Sequence, residues 1–196
     1  MLKPFAKDLL WHFENEDNTL YLTFDDGPTP DITEEVLRRL DRYNAKATFF
    51  CVAKNVQSYP ELYNKILTQG HHIGNHTYDH LDGWKTSNFS YYRNVLLAHK
   101  TCKSRLFRPP YGRITPAQVA ALKTRFTIVM WDVLSADFDV DVTPEQCLKN
   151  VTDHAVSGSI VVFHDSIKAH KNMLYALEGA LDYFTRLNYA FRALPS

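Results

Sequence analysis

Hydrophobic residues occur along this chain in two different spacings. Short apolar runs bounded by polar or turn-forming residues are typical of buried strands, and apolar residues three or four positions apart are typical of amphipathic helices. The short runs predict seven strands, at residues 19–24, 47–52, 72–75, 105–107, 126–131, 159–163 and 189–193.

The stretches between these runs predict the helices. They lie at residues 30–43, 61–68, 89–100, 115–123, from 143 onward, and 171–186. The first helix has an apolar face formed by Val36, Leu37 and Leu40. Either Asp31 or Thr33 is placed to cap it, and Thr115 and Thr143 each precede a proline, as helix-capping residues commonly do.

Strand-like and helix-like segments alternate along the whole chain, an order typical of a mostly parallel sheet. Five polar clusters each follow a predicted strand: Asp25 with Asp26, His76, Arg108, Asp132 with Asp137, and His164. Because such strand ends meet on one face of a βα barrel, we expect a closed or partly closed barrel rather than an open sheet. No linker or repeat divides the chain, so we expect one α/β domain over residues 1–196, with its core at about 19–193.

Composition narrows the class of protein. The 196 residues include 22 Lys and Arg and 22 Asp and Glu, so the formal charge is zero and the basic footprint of a nucleic-acid binder is missing. Residues 1–8 do not have the pattern of a signal peptide, and no apolar run approaches the ~18 residues of a membrane span. Cys51, Cys102 and Cys147 are widely separated, so we expect small buried side chains without disulfides. These features favour a cytoplasmic protein, although an extracytoplasmic chain with its leader removed would show the same pattern.

The first polar cluster is the pair of adjacent carboxylates Asp25 and Asp26. Two neighbouring negative charges repel, and a metal ion on one carboxylate, with the other left as a base, would make the arrangement favourable. Gly27 and Pro28 then turn the chain away. The alternative is a solvated turn that caps the next helix.

The second cluster contains His76 and His80. Two imidazoles four residues apart can share a metal on one side of a helical turn, and an aspartate from another strand end would complete three ligands and leave a position open for water. The side chain of Asp79 should point away from this face. We expect His71 and His72, at the other end of the strand, to be structural or solvated.

The third cluster begins at Arg108, followed by two prolines, Tyr111 and a glycine. The prolines make the backbone rigid, so the Tyr111 N–H can be held towards a developing negative charge as an oxyanion donor. The alternative is an ordinary proline-rich turn in which Arg108 pairs with any carboxylate.

The last two clusters are residues 131–138 and His164. The first, which holds Asp132 and Asp137, is by itself most typical of a polar loop after a strand. His164 follows a very apolar strand, and its ordinary pKa of ~6.5 suits a general acid. The alternative is a core histidine whose ring bonds to a neighbour.

Together these segments resemble a known family. Residues 23–28, 76–80, 108–112, 137–138 and 162–164 resemble, in order, the five motifs of the polysaccharide deacetylases, the NodB-homology family or carbohydrate esterase family 4. The resemblance implies a distorted (β/α)7 barrel that hydrolyses N-acetyl or O-acetyl groups on sugars.

The resemblance also implies roles for the site residues. It makes Asp25 the catalytic base and His164 the general acid, and it makes the Tyr111 amide the oxyanion donor. Arg108 and Asp137 would orient and tune the base and the acid. A divalent metal ion, zinc first and cobalt, nickel or manganese as alternatives, would be held by Asp26, His76 and His80.

Three residues depart from the family pattern. Phe138 replaces a Trp, Val162 replaces a Leu, and Leu81 stands where a Pro often follows the second histidine. Phe138 and Val162, together with Tyr111, are the expected substrate contacts, so the departures concern substrate preference and not the metal site.

The expected activity is removal of an N-acetyl or other acyl group from an amino sugar, an oligosaccharide, or a polysaccharide such as peptidoglycan or chitin fragments. O-acetyl ester hydrolysis, and deformylase or imidase activity on the same fold, are enzyme alternatives. A carbohydrate-binding protein that has lost catalysis is the alternative from another class. Aromatic residues that could stack on sugars near the barrel mouth are Tyr78, Trp84, Tyr111 and Phe138.

Overall fold

The computed structural model describes residues 6–14 and 17–195. Residues 1–5, which carry part of the argument against a leader peptide, lie outside this range. Within the described ranges, no helix is both long enough and apolar enough to cross a membrane.

Each predicted strand is present, with its ends shifted by at most a few residues. Among the described residues the strands are β1 (Leu9–Leu10), β2 (Thr19–Asp25), β3 (Ala47–Cys51), β4 (His72–Asn75), β5 (Leu106–Phe107), β6 (Thr127–Val129), β7 (Val133–Leu134), β8 (Ile160–His164) and β9 (Ala190–Phe191). The two-residue strands β1 and β7 were not predicted, whereas β5 and β9, which are equally short, lie within predicted runs.

The helices agree in the same way. In the part of the chain that is described they are α1 (Ile32–Arg42), α2 (Ala53–Ser58), α3 (Pro60–Thr68), α4 (Asn88–Cys102), α5 (Pro116–Leu122), α6 (Pro144–Thr152) and α7 (His170–Arg186). The sequence pattern missed α2, whose six residues bury only Ala53 and Val56.

Two of the predicted helix caps are confirmed and one is wrong. The hydroxyl of Thr115 accepts a hydrogen bond from the Gln118 amide in a complete capping box, and Thr143 caps α6 in a similar way. Asp31 occupies the cap position of α1, but its φ of 62° is not that of a capping residue and its side chain forms no cap hydrogen bond. The Thr33 hydroxyl instead donates to the carboxylate of Asp165.

All neighbouring strands run parallel, in the order β1-β6-β5-β4-β3-β2-β8-β7, and β9 also pairs with β2. The sheet curls into a half-barrel, so the expected α/β barrel class is confirmed. The segment after β1 continues to the far side of the sheet, where His12 and Ser159 form an antiparallel bridge. Strand register places Asp25 beside His164 at the carboxyl ends of β2 and β8.

The core lies between the curled sheet and its surrounding helices. Every residue of β2 and β3 is buried, as a central strand of a parallel sheet requires. The α1 residues Val36, Leu37 and Leu40 are at most 1% exposed, and burial of each contributes about 1.5–3 kcal/mol. Cys51, Cys102 and Cys147 are buried free thiols, as expected.

Candidate active site

The carboxyl ends of the strands surround one cavity of about 490 Å³. A pocket of this size is typical of a small-ligand site. Its lining contains the polar residues Asp25, Asp26, His76, His80 and His164, together with Tyr111, Trp131, Phe138 and Val162. Side chains from most of the predicted clusters therefore meet at one place.

Asp25 and Asp26 are adjacent in the sequence, but their carboxylates contact different partners. Asp25 is the last residue of β2 and is 4% exposed, and its Oδ1 accepts a hydrogen bond of 2.7 Å from Arg108. Asp26 has a φ of 84°, so the chain turns sharply between the two carboxylates. Its Oδ1 lies 3.1 Å from His80 Nε2 and 3.8 Å from His76 Nε2. Nearby positive or proton-donating groups thus offset the repulsion between the two charges.

His76 follows β4 and is 1% exposed. Its Nδ1 lies 2.9 Å from the carbonyl oxygen of Arg108 and donates to it, which leaves Nε2 facing Asp26. Burial lowers the pKa of His76 to about 4, so the ring is neutral near pH 7. A neutral imidazole held through its second nitrogen is the form that binds a metal ion.

His80 also lies beside Asp26, but not on the helical turn that the sequence predicted. Residues 76–80 form no helical turn, because Thr77 and His80 have φ values of 64° and 57°. The Thr77 amide donates to Asn75 Oδ1, and the Thr77 hydroxyl accepts from the Leu81 amide. The prediction of a shared helical face is wrong, and a hydrogen-bonded loop brings the two imidazoles together instead.

The remaining histidines and carboxylate of this region lie where the sequence placed them. Asp79 is exposed and accepts a hydrogen bond from Asn94, away from the cavity. His71 Nδ1 accepts from the Ala47 amide, and burial lowers the pKa of His71 to about 4. His72 bonds to a main-chain carbonyl, so both histidines are structural.

One ligand atom each from Asp26, His76 and His80 lies within 4.8 Å of the other two. Burial raises the pKa of Asp26, but the hydrogen bond from His80 and the nearby imidazoles outweigh it and bring that pKa to about 2. One carboxylate and two imidazoles suit a divalent metal of the zinc type. The residues present therefore fit the expected metal ion.

Arg108 is fully buried behind Asp25. Its Nη1 donates to Asp25 Oδ1 and to the Thr23 hydroxyl, both at 2.7 Å, and its Nη2 donates to the Met130 carbonyl at 2.9 Å. The guanidinium lies 4.1 Å from the centre of the Phe50 ring. Arg108 is thus paired with a carboxylate of the site itself, which holds that carboxylate in one orientation.

Tyr111 lies on a tight turn after the two prolines. Its φ is 61°, and the Gly112 and Arg113 amides donate to the Pro109 and Pro110 carbonyls. The tyrosine ring is exposed at the cavity mouth, with its centre 4.7 Å from the His80 ring. The backbone around the Tyr111 amide is therefore rigid and borders the cavity.

Asp137 holds His164 by two hydrogen bonds. Its Oδ1 lies 2.7 Å from His164 Nδ1, and its Oδ2 accepts from the His164 amide at 2.8 Å. Burial lowers the pKa of His164, but the hydrogen bond and charge of Asp137 outweigh it and raise that pKa to about 9. His164 therefore carries a proton at neutral pH, with Nε2 free of this partner. The ring of Phe138 lies edge-on, 5.0 Å from the His164 ring, and Val162 lines the cavity beside it.

Asp132 does not belong to the site, contrary to its grouping with Asp137. Its Oδ1 accepts from the Ile160 amide at 2.7 Å, and its Oδ2 bonds to Ser159 Oγ and His12 Nδ1, both at 2.8 Å. Ile160 begins β8, whereas His164 ends it. Asp132 thus stabilises the opposite end of the barrel.

Sequence reasoning missed two residues that support the Asp25–Asp26 turn. Asp165 is buried, accepts from the Gly27 amide at 3.1 Å, and leaves no space for a side chain at Gly27. Burial raises the pKa of Asp165 to about 8. Asn55 donates to the Asp26 carbonyl at 2.9 Å. Asp165 directly follows a predicted site residue, which was the only signal, and Asn55 lies in the unpredicted helix α2.

Among the candidate sugar-stacking aromatics, Tyr111 and Phe138 line the cavity. Tyr78 is partly buried, and its hydroxyl donates to Gln57. Trp84 is 65% exposed and outside the cavity lining.

Comparison with known proteins gives a consistent result. The family model described as polysaccharide deacetylase matches residues 13–125. A peptidoglycan-N-acetylglucosamine deacetylase of Bacillus cereus is 34% identical over 184 residues, which cover 89% of this chain and 66% of that protein. A second protein of that name from the same bacterium is 33% identical, over 92% of this chain and 88% of its own length.

A solved structure is similar over nearly the whole chain. The crystal structure of the Bc1960 peptidoglycan N-acetylglucosamine deacetylase, in complex with 4-naphthalen-1-yl-N-oxidanyl-benzamide, superposes with a TM-score of 0.92 at 27% identity. The match covers 98% of this chain and 94% of that one.

Proposed function

The chain belongs to the polysaccharide deacetylase family, hydrolases that act on carbon–nitrogen bonds other than peptide bonds, and from that premise we propose its reaction. It removes the N-acetyl group from an amino-sugar residue of a peptidoglycan or chitin-like saccharide. The observation that carries this proposal is the convergence on one cavity of Asp25, the Asp26–His76–His80 cluster, and the Asp137–His164 pair.

Asp26, His76 and His80 would hold the metal, for which we propose zinc. When bound, a divalent ion supplies a Lewis acid that lowers the pKa of water and polarises an acyl carbonyl. The donation from His76 Nδ1 to the Arg108 carbonyl fixes which ring nitrogen faces Asp26. His76 is thus oriented before any ligand arrives.

Asp25 is the proposed catalytic base. Arg108 occupies its Oδ1 at 2.7 Å, so Oδ2 accepts the proton of the attacking water. The hydrogen bond from the buried guanidinium limits the rotation of this carboxylate, as a positioned base requires.

The other two proposed roles belong to Tyr111 and His164, which also line the cavity. The Tyr111 amide donates to the oxyanion of the tetrahedral intermediate, a contact worth about 3 kcal/mol in comparable sites. His164 gives the proton on Nε2 to the departing amine, and Asp137 holds the ring through Nδ1. Because an amine leaves poorly without a proton, the raised pKa of His164 favours amide over ester hydrolysis.

The nature of the substrate is supported by the relatives. Both Bacillus cereus proteins are named peptidoglycan-N-acetylglucosamine deacetylases, so we propose N-acetylglucosamine residues as the deacetylated units. Phe138 and Val162, which depart from the family pattern, line the cavity and would contact the acyl group or sugar.

A substrate panel with controlled metal content tests the proposal. Chitooligosaccharides, peptidoglycan fragments, acetylated monosaccharides, O-acetyl esters and cyclic imides are incubated with the protein after chelation, with and without added zinc, and acetate or product is measured. We expect zinc-dependent acetate release from the N-acetylated saccharides. The Asp25→Asn variant should fold and bind zinc but lose about 10³-fold in kcat, within the range of a lost general base. Preference for imides or O-acetyl esters, or wild-type turnover in Asp25→Asn, would contradict the proposal.

A further inference from the structure

Trp84 is a large exposed aromatic residue that is nevertheless held in place. The indole is 65% exposed. Its amide donates to Asp82 Oδ1 at 2.9 Å, and its ring Nε1 donates to the Ile114 carbonyl at 3.3 Å. The preceding residue, Gly83, accepts a hydrogen bond of 2.8 Å from Gln118. The ring is therefore fixed in position while much of its apolar surface faces solvent.

The turn that carries Trp84 also packs tightly on the turn that follows Tyr111. A side chain at Gly83 would come within 2.3 Å of the Arg113 carbonyl oxygen. The Arg113 guanidinium donates to Asp82 at 2.6 Å. The two turns thus form one unit, and neither can shift without breaking contacts with the other.

Arg113 links the Trp84 ring to the cavity mouth. Its guanidinium carbon lies 5.3 Å from the centre of the Trp84 ring and 5.6 Å from the centre of the Tyr111 ring. The Tyr111 ring in turn lies 4.7 Å from the His80 ring. A continuous surface of aromatic and cationic groups therefore runs from the proposed metal ligands to Trp84.

The cavity is also open on another side. Asp26 and Ser166, which line it, also line a neighbouring groove bordered by Tyr59, Ile167 and His170. A substrate in the cavity thus has room to continue past it rather than ending there.

We propose that Trp84, held by Asp82 and Arg113, is a binding platform for a sugar ring next to, or near, the residue that is deacetylated. This inference rests on the proposed function and adds that the substrate is an oligosaccharide rather than a monosaccharide. A pyranose ring has an apolar face of C–H groups that an aromatic ring can cover, and the fixed indole loses little conformational entropy on binding. Neighbouring Arg113 can donate hydrogen bonds to sugar hydroxyls.

Chain-length dependence tests the platform. The kcat/KM values for N-acetylglucosamine and for its β-1,4-linked tetramer are measured for the wild type, Trp84→Ala and Trp84→Phe. We expect Trp84→Ala to lower the tetramer-to-monomer ratio about tenfold, mainly through KM, a loss equivalent to ~1.4 kcal/mol. Trp84→Phe should restore most of the ratio, because it keeps an apolar ring.

Tyr183→Ala is the matched control. Tyr183 is an aromatic residue of α7 that is 44% exposed. It lies about 20 Å along the helix axis from His170, the first residue of α7, which borders the neighbouring groove. This variant should leave the ratio unchanged. An unchanged ratio in Trp84→Ala, or an equal loss on monomer and tetramer, would overturn the platform.

A binding measurement separates this inference from the proposed function. The tetramer is titrated calorimetrically into zinc-loaded Asp25→Asn and into the Asp25→Asn/Trp84→Ala double variant. Weaker binding in the double variant supports the platform even if no saccharide is hydrolysed, an outcome in which only the proposed function fails. Equal affinity in the two proteins overturns the platform even if deacetylation is intact.

Discussion

The two ends of strand β8 carry the same kind of pair, a histidine bonded through Nδ1 to an aspartate. At the carboxyl end, His164 and Asp137 are 2.7 Å apart, and at the amino end, His12 and Asp132 are 2.8 Å apart. The Asp137 side chain is fully buried and that of His164 is 16% exposed, whereas the His12 and Asp132 side chains are 30% and 28% exposed.

The difference between the pairs lies in what surrounds them. His164 faces a cavity that also contains Asp25, Asp26 and the other two site histidines. Both carboxylate oxygens of Asp132 are instead hydrogen-bonded, to Ile160, Ser159 and His12, where the segment after β1 meets β8. A histidine–aspartate pair is therefore a candidate for catalysis only with a cavity and further reactive groups beside it. We expect the first pair to govern activity and the second to govern stability.

The largest expected effect is that of His164→Ala. Loss of a general acid typically lowers kcat by 10²–10⁴-fold, and we expect about 10³-fold for amide hydrolysis. An O-acetyl ester should suffer much less, because an alcohol leaves more readily than an amine. Steady-state kinetics on matched amide and ester substrates measures this, and an equal loss on both would rule out the role of acid.

Asp137→Asn should shift the pH dependence. Asp137 raises the pKa of His164 to about 9, so the wild-type ring keeps its proton until the pH rises through that value. Without the negative charge, burial lowers that pKa, and the alkaline limb of the kcat profile should move to lower pH. The free energy of unfolding should change with pH in the same direction. The stabilisation that comes from the raised pKa of His164 is fully present below pH ~6.5 and is lost as the pH rises through about 9. Asp132→Asn is the control, and an identical profile in wild type and Asp137→Asn would contradict the pairing.

Asp132→Ala should affect stability instead. It removes an acceptor from the Ile160 amide and the Ser159 hydroxyl, which costs about 2 kcal/mol, or about 4–8 °C in Tm for a domain of this size. Its kcat should stay within twofold of the wild type. Thermal unfolding followed by circular dichroism gives the Tm, and a loss of activity at unchanged Tm would place Asp132 at the active site after all.

The smallest effect is expected for His12→Ala. An exposed pair contributes little because water screens it, so we expect about 0.5 kcal/mol and a Tm shift of about 1–2 °C. A fall of more than about 8 °C in the same thermal scan would show that the His12 ring has packing contacts that its pair with Asp132 does not explain.

Most of the fold could be predicted from the sequence because long buried strands and amphipathic helices have clear periods. β2 and α1 are examples, and the residues at the carboxyl ends of β2, β4 and β8 could be placed on one rim by topology alone. Short elements such as β1, β7 and α2 have no readable period.

The errors at the site have a different origin. A histidine spacing of four residues suits a helical turn, but Thr77 and His80 have a left-handed backbone. This loop is held by a hydrogen bond from the Thr77 amide to Asn75 and one from the Leu81 amide to Thr77, which no local pattern reveals. Asp132 and Asp137 lie in one loop-like segment, and only the pairing of β7 with β8 sends them to opposite ends of the barrel.

If Asp26, His76 and His80 hold a catalytic metal, the metal content and the activity of the protein must rise and fall together. Mass spectrometry of the purified protein is combined with acetate release from an N-acetylated chitooligosaccharide before chelation, after chelation and after zinc is restored. We predict about one equivalent of divalent ion, activity that disappears and returns with it, and loss of both in His76→Ala/His80→Ala but not in the control His72→Ala. Full activity without metal, or metal retained in the double variant, would contradict a catalytic metal at these residues.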